Sequence, residues 1–366
     1  MSGNEYKVPS MKEIEAIPWN GYNVVSTFSG GGGSCTGYRM AGYHVIWANE
    51  FVEEAQNTYR ANHAGTILDC RDIREVKPEE ILLATGLKKG EIDLFDGSPP
   101  CCAFSTNGKR EKGWNQERDY SDGKKQRIED LFEEYIRLVD GTQPKTFVAE
   151  NVSGMVKGVA IGYFKDYLRK MQRCGYKVEA KLLNSKYLGV PQARERIIFV
   201  GVREDLGFEP VFPKPKLPVL TLNDAFKGLV QDDEQRQWLL DKWKETSIYK
   251  CCISKMRKNP SKVLYWGAIS HEKSRFNLLR ASMYQPANTV LQSCGIGGCM
   301  PIHPLEDRSY TIPELKRLTS IPDDFILTGK YEQQYERLGR MVPPLMTMAV
   351  AKTIQTEILD KIEVQK

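Results

Sequence analysis

The sequence predicts a doubly wound α/β fold with a smaller domain inserted into it. Short apolar strands alternate with amphipathic helical stretches through the first half of the chain, the βαβ rhythm of a parallel sheet covered on both faces. A run of glycines follows the first of these strands directly, where such folds place their ligands. Four prolines among the eleven residues Phe208 to Pro218 then break the pattern, and the chain turns polar and basic before helical patterning returns at Ile312.

In order, Asn23 to Phe28 reads as a buried strand that runs into Ser29 to Ser34 and a helix through Tyr38 and Met40. His44 to Ala48, Ile92 to Phe95 and Phe147 to Ala149 are further strands, with an amphipathic helix over Arg127 to Val139 before the last. Ile197 to Val202 adds another strand. The expected organisation is an extension over 1–20, a large domain over 21–215, a small one over 216–300, and a return to the large domain over 301–366.

With 366 residues, 41% apolar and 27% charged, the chain can bury a substantial core, and no apolar run approaches the roughly 18 residues that would span a bilayer. The first twenty residues lack an apolar signal segment, so a cytoplasmic protein with no membrane partner is expected. Nine cysteines, an odd number, do not read as a disulfide framework. Net charge is only +5, but Lys242 to Arg275 carries nine Lys and Arg against Glu245 and Glu272, which holds the whole surplus in one stretch. Such a block suits a polyanion.

The glycine turn lacks the Gly-Lys-Ser/Thr ending of a phosphate loop, and Cys35 stands where a dinucleotide fingerprint counted from Gly30 needs its third glycine. Glu50 closes the second strand, where a carboxylate can accept both hydroxyls of a ribose, and Phe51 offers a face to adenine. A nucleoside without pyrophosphate fits, meaning S-adenosylmethionine. Further on, Gly97-Ser98-Pro99-Pro100-Cys101 presents a thiol on a stiffened turn at a strand's carboxyl end, and Glu150 reaches the same rim from another strand. Arg194 and Arg196, one residue apart ahead of a strand, can point to one face. Cys251, Cys252, Cys294, Cys299, His271 and His303 lack a Cys-x-x-Cys pair, so no metal site is expected from them.

Together these segments resemble the DNA (cytosine-5) methyltransferases along nearly the whole chain. Phe28 to Gly33 is similar to the family's first motif, Pro100-Cys101 with Phe104-Ser105 to the nucleophile motif, Glu150-Asn151-Val152 to the sixth and Gln192-x-Arg194-x-Arg196 to the eighth. Arg308 to Pro322 resembles the ninth motif and Gly339 to Pro344 the tenth. The resemblance implies a Rossmann-like class I S-adenosylmethionine-dependent methyltransferase sheet with a small inserted target-recognition domain. It implies that Cys101 attacks C6 of a flipped cytosine, that Glu150 protonates N3, and that Arg196, with Arg194 nearby, holds the base. It assigns the cofactor to Phe28, Ser29, Gly30, Gly32, Gly33, Glu50, Phe51, Asp72, Ile73, Ser98, Pro100, Leu131, Arg340, Met341 and Val342. Double-stranded DNA falls to Ser105, Lys109, Arg110, Lys255, Arg257 and Lys258, in a monomer with a cognate restriction endonuclease as partner.

The chemistry agrees with those roles. C5 of cytosine becomes nucleophilic only after a thiolate adds at C6, and an acid at N3 keeps charge off the ring. Reaching C6 requires the base outside the stack. Three residues depart from the family pattern: Ser26 replaces an Asp, Cys102 a Gln and Arg340 an Asn. Arg340 near a sulfonium would need an anion, either a neighbouring acid or phosphate, or a carboxylate on the transferred group. The latter makes carboxy-S-adenosylmethionine an alternative donor and 5-carboxymethylcytosine its product. An RNA substrate and a binding protein without catalysis are the remaining alternatives.

Overall fold

The structure, a computed structural model, describes residues 6–100, 118–119, 125–126, 130–157, 160–270, 278–292, 296–298 and 300–364. It divides into two compact units. Residues 13–184, 195–214 and 347–366 form a sheet unit, and residues 1–12, 185–194 and 215–346 form a second one. Among the described residues no helix is long and apolar enough to cross a membrane.

The sheet unit is built on seven strands: β1 (Asn23–Thr27), β2 (His44–Asn49), β3 (Ile67–Asp69), β4 (Leu94–Gly97), β5 (Thr146–Val152), β6 (Tyr176–Asn184) and β7 (Glu195–Arg203). Their order is β3-β2-β1-β4-β5-β7-β6. Strands β1 to β5 pair in parallel, while β7 runs antiparallel to both β5 and β6. Parallel strands covered on both faces must be apolar throughout, which is why β1 and β4 are almost wholly buried. The ladder of β4 starts at Leu94, two residues later than the apolar run suggests, because Ile92 and Asp93 give their carbonyls to the N–H groups of Lys145 and Thr146.

Helices α1 (Gly33–Met40), α2 (Glu53–Asn62), α3 (Pro78–Thr85), α4 (Leu131–Thr142) and α5 (Ala160–Arg173) connect these strands. The core gathers Val25, Phe95, Phe132, Tyr135, Phe147, Tyr167, Met171 and Phe199, with the Phe132 ring stacked on Tyr167 at 4.2 Å between centroids. The C-terminal segment rejoins this unit: Tyr43 Oη donates to the Ala351 carbonyl and Tyr22 Oη to Asp360.

Gly97, the last residue of β4, lies under an aromatic ring. A Cβ there would stand 2.4 Å from Tyr135 Cε2 and 2.7 Å from Thr27 Oγ1. The bare backbone lets the Tyr135 hydroxyl reach the carbonyls of Phe95 and Val148, at 3.2 and 3.0 Å, and so tie β4 to β5 from above.

The second unit is mainly helical, with α6 (Asp233–Glu245), α7 (Ile312–Leu318) and α8 (Tyr331–Arg340); α9 (Pro344–Ile354) begins in it. Trp243 of α6 is fully buried and donates to Ser309 Oγ. Thr311 caps α7 and Glu314 returns the bond to the Thr311 N–H, closing a capping box. Glu314 has no exposed surface, yet stays charged because Arg308 grips both its oxygens at 2.7 and 2.8 Å. Glu306 joins Arg308 to Arg236, His303 lies 3.4 Å from Glu314, and the buried Arg280 pairs with Asp307. These guanidiniums hold Glu306 down to about 2 against its burial, and Glu314 is lowered by Arg308 in the same way. Burial holds His303 down to about 4.

Candidate active site

The carboxyl ends of β1, β2, β4 and β5 form one rim, along which lie the glycine turn, Glu50, the turn through Pro100 and Glu150. β1 ends at Thr27, and Phe28 follows at φ +53°, a left-handed conformation that a bulky side chain adopts at a cost. Gly30 and Gly32 are left-handed as well. At Gly32 a Cβ would come within 2.3 Å of the buried His63 ring, so two constraints require glycine there. The turn therefore exposes backbone rather than side chains, and Gly33 opens α1 directly after it.

Glu50 stands beside that turn, 8% exposed. Its Oε2 accepts the Gly30 N–H and its Oε1 the Val52 N–H, both at 2.7 Å. Phe51 follows, half-buried against Val52 and Ala55. Asp72 caps a short turn and pairs with Arg74, while Ile73 and Leu131 have their side chains in the core. A bare glycine turn with an oriented carboxylate at its mouth fits a nucleoside cofactor and offers nothing that would cage a triphosphate.

Serine rather than aspartate occupies position 26, and the neighbouring strand holds a carboxylate opposite it. Register pairs Ser26 with Asp96, and Ser26 Oγ donates to Asp96 Oδ2 at 2.8 Å. Asp96 also accepts from Ser34 Oγ at 3.0 Å and from Tyr38 Oη at 2.9 Å. Burial pushes its carboxyl up to about 6, and the Glu150 charge acts in the same direction. Sequence reasoning passed over Asp96 as part of a strand, although an acid within the apolar run Ile-Asp-Leu-Phe-Asp was a signal.

β4 continues into Ser98, Pro99 and Pro100, where the Ser98 N–H bonds the Thr27 carbonyl. Asn151, on β5, donates through Nδ2 to the Pro99 carbonyl at 3.2 Å, which steadies the turn two residues ahead of Cys101. That role was not anticipated from the sequence. Cys101, Cys102, Ser105, Lys109 and Arg110 lie outside the described residues, as do His271, Cys294 and Cys299.

Glu150 precedes Asn151, and its Oε1 meets Arg196 Nε at 2.6 Å across the β5–β7 ladder, each side chain 13% exposed. Glu150 and Arg196 are thus brought together at the rim. Arg194 is not part of that pair: it belongs to the second unit, 2% exposed, with Nη1 on the Val290 carbonyl. In the same unit Gln192 bridges the Leu318 carbonyl and the Val290 N–H. Met341 and Val342 are buried there, and Arg340 pairs with Glu336 one turn earlier in α8. Lys255, Arg257 and Lys258 are exposed, together with Lys242, Lys244, Lys250 and Lys262; Lys258 lies 3.4 Å from Asp307.

Comparison with known proteins places this geometry. Residues 22–356 match the family described as C-5 cytosine-specific DNA methylase. The chain is 29% identical over 355 residues to the Type II methyltransferase M.NgoFVII of Neisseria gonorrhoeae, covering 93% of this chain and 88% of the relative. It is 31% identical to the Type II methyltransferase M.FnuDI of Fusobacterium nucleatum over 94% of this chain and 97% of that one. Its fold is similar to that of a DNA modification methyltransferase encoded in an Escherichia coli prophage, with a TM-score of 0.68 at 21% identity over 92% of this chain and 99% of the other.

Proposed function

The chain belongs to the C-5 cytosine-specific DNA methylase family, and from that premise we propose that it methylates C5 of a cytosine flipped out of duplex DNA, with Cys101 as nucleophile and Glu150 as acid. It is an S-adenosylmethionine-dependent enzyme, and the cofactor supplies an electrophilic methyl group. Phe28 to Gly33, Glu50 and Phe51 would hold it, with Asp72, Ile73, Ser98, Pro100 and Leu131 behind them.

The observation that carries the reading is the Glu150–Arg196 pair, set one strand from the turn that leads to Cys101. In this reading the Cys101 thiolate forms a bond to C6 while Glu150 delivers a proton to N3, so that the C5–C6 π electrons become those of an enamine. Arg196 faces the base beside Glu150, and its charge keeps the pyrimidine oriented. After transfer to C5, loss of the C5 proton expels the Cys101 thiolate and restores the ring. Arg194 supports the turn that precedes Arg196.

The pairing of Arg340 with Glu336 supports an ordinary methyl donor over carboxy-S-adenosylmethionine, because the guanidinium charge is already met within its own helix. The exposed lysines and arginines of residues 242–262, including Lys255, Arg257 and Lys258, support a DNA-facing role for residues 216–300, and Ser105, Lys109 and Arg110 would add phosphate contacts. Similarity to Type II methyltransferases supports a place beside a cognate restriction endonuclease.

Trapping on duplex DNA containing 5-fluorocytosine tests the mechanism. A covalent adduct that disappears in Cys101→Ala is expected; no adduct from the intact protein in the presence of S-adenosylmethionine would overturn it. Mass spectrometry of the product nucleosides should find 5-methylcytosine, and 5-carboxymethylcytosine would reverse the choice of donor. RNA in place of duplex DNA should yield no adduct.

A further inference from the structure

We propose that Asp96 is a positioning residue for the cofactor, a carboxylate that clamps both flanks of the glycine turn to the strand leading to Cys101. Apart from the backbone bonds of Ser29 to Asn49 and of Gly30 to Glu50, the turn has little to hold it in place, since its glycines bring no side chains to pack. Its flanks do: Ser26 closes in from β1, while Ser34 and Tyr38 come from the first two turns of α1, and all three hydroxyls donate to Asp96. Residues 28–33 lie between those anchors. The clamp is mounted on β4, five residues ahead of Cys101, so the cofactor turn and the nucleophile's strand share one fixed point.

The choice of a carboxylate is costly, which argues for function over packing. Asp96 is 3% exposed. Among the described residues the groups facing it are Ser26 from β1, Ser34, Cys35 and Tyr38 from α1, Tyr135 from α4 and Glu150 from β5, and none of these is a cation. A buried anion without a counter-ion works against folding, whereas a neutral amide of the same shape would not. The ionised carboxyl, which accepts and never donates, takes all three hydroxyl protons in charge-assisted bonds. Once protonated it becomes a donor itself and one of the three hydroxyls must turn away. The resemblance adds a clue of its own: the acid that the family pattern places at position 26 is here supplied from position 96, directly across the β1–β4 ladder.

This inference rests on the assignment of the glycine turn to S-adenosylmethionine, and calorimetric titration of the full chain with S-adenosylmethionine separates the two. Wild-type affinity should fall as pH drops through about 6. Asp96→Asn should bind about tenfold more weakly at neutral pH, the loss of hydrogen bonds to a charged acceptor, and show no such step. In turnover the loss should appear in KM for S-adenosylmethionine rather than in KM for DNA. Moving the acid back, in Ser26→Asp/Asp96→Ser, should recover most of the affinity that Asp96→Ser loses.

Stability should move the opposite way. A carboxyl whose folded value lies above its ordinary 3.8 favours the fold at low pH, and that contribution is lost as pH rises through about 6. Asp96→Asn should therefore gain thermal stability over wild type at neutral pH and lose that advantage in acid. Should Asp96→Asn not fold, Ser34→Ala and Tyr38→Phe each remove one donor and should each weaken binding severalfold. Wild-type affinity in Asp96→Asn or in both of these variants, or a pH step that survives in Asp96→Asn, overturns the clamp. Unchanged affinity in Glu50→Gln overturns the assignment of the turn instead.

Discussion

Two regions of this protein bury carboxylates, and they do so on opposite terms. In the second unit Glu314 and Glu306 are met by guanidiniums from Arg308 and Arg236, and both carboxyls are held below the ordinary range. At the rim of the sheet unit, Asp96 is met among the described residues by hydroxyls and is pushed up to about 6 by burial. Glu314 is buried as completely as Asp96, so the partner decides the outcome: full charges make a carboxylate a fixed joint, and neutral donors leave it able to take a proton near working pH. Glu150, also at this rim, meets the Arg196 guanidinium at 2.6 Å.

The sharpest way to break this comparison is to remove one charge from the fixed joint. Glu314→Ala should cost about 3 kcal/mol, since it takes from the buried Arg308 the carboxylate that meets Nη1 and Nη2 and leaves it Glu306 alone, and denaturant unfolding would measure it. Replacing Arg308 and Glu314 together by apolar residues should recover much of that loss; a cost below about 1 kcal/mol for Glu314→Ala would remove the distinction between the regions. At the rim the ordering reverses. Glu150→Gln should lower kcat by about two orders of magnitude through loss of the acid, with little change in the thermal midpoint.

A smaller effect is expected on the exposed basic segment. Replacing Lys255, Arg257 and Lys258 by Ala should weaken binding to any duplex about equally, and reduce the slope of log affinity against log salt by about 2–3. The smallest effect separates the regions by pH. Glu306 and His303 hold folded values below their ordinary 4.5 and 6.5, so their stability contributions exist above those values and fade as pH falls towards about 2 and 4. The protection factors of α7 amides, exchange rates corrected for the intrinsic pH dependence, should therefore fall on acidification, and Glu306→Gln should blunt part of that response.

Much of the sheet unit was legible because buried parallel strands write themselves as apolar runs. β1, β2 and β5 stand where Val24-Val25, Val45-Ile46-Trp47 and Phe147-Val148-Ala149 announce them. β6 escaped notice: as an edge strand it alternates Tyr176 and Val178 with Lys177 and Glu179, a period of two with few fully apolar neighbours. At the site, Glu50 and Glu150 were legible as acids closing strands, and the glycine turn by composition. The Asp96 clamp was not, because it depends on the register that sets Ser26 across from Asp96, and register is a property of pairing rather than of either segment. The two arginines illustrate the same limit. One residue apart in sequence, they look equivalent, yet Arg194 donates to a backbone carbonyl in one unit and Arg196 to a carboxylate in the other.

The ring of Tyr135 over Gly97 carries a consequence for descent. With no room for a Cβ at 97 while tyrosine stands at 135, the two sites cannot drift independently. Any lineage acquiring a side chain at 97 must first have surrendered the ring, and with it the hydroxyl that joins Phe95 to Val148, and must have moved Thr27 Oγ1 aside as well. The order of such changes is therefore one-way, and ancestral reconstructions in this branch should show the ring lost before the glycine and never after it.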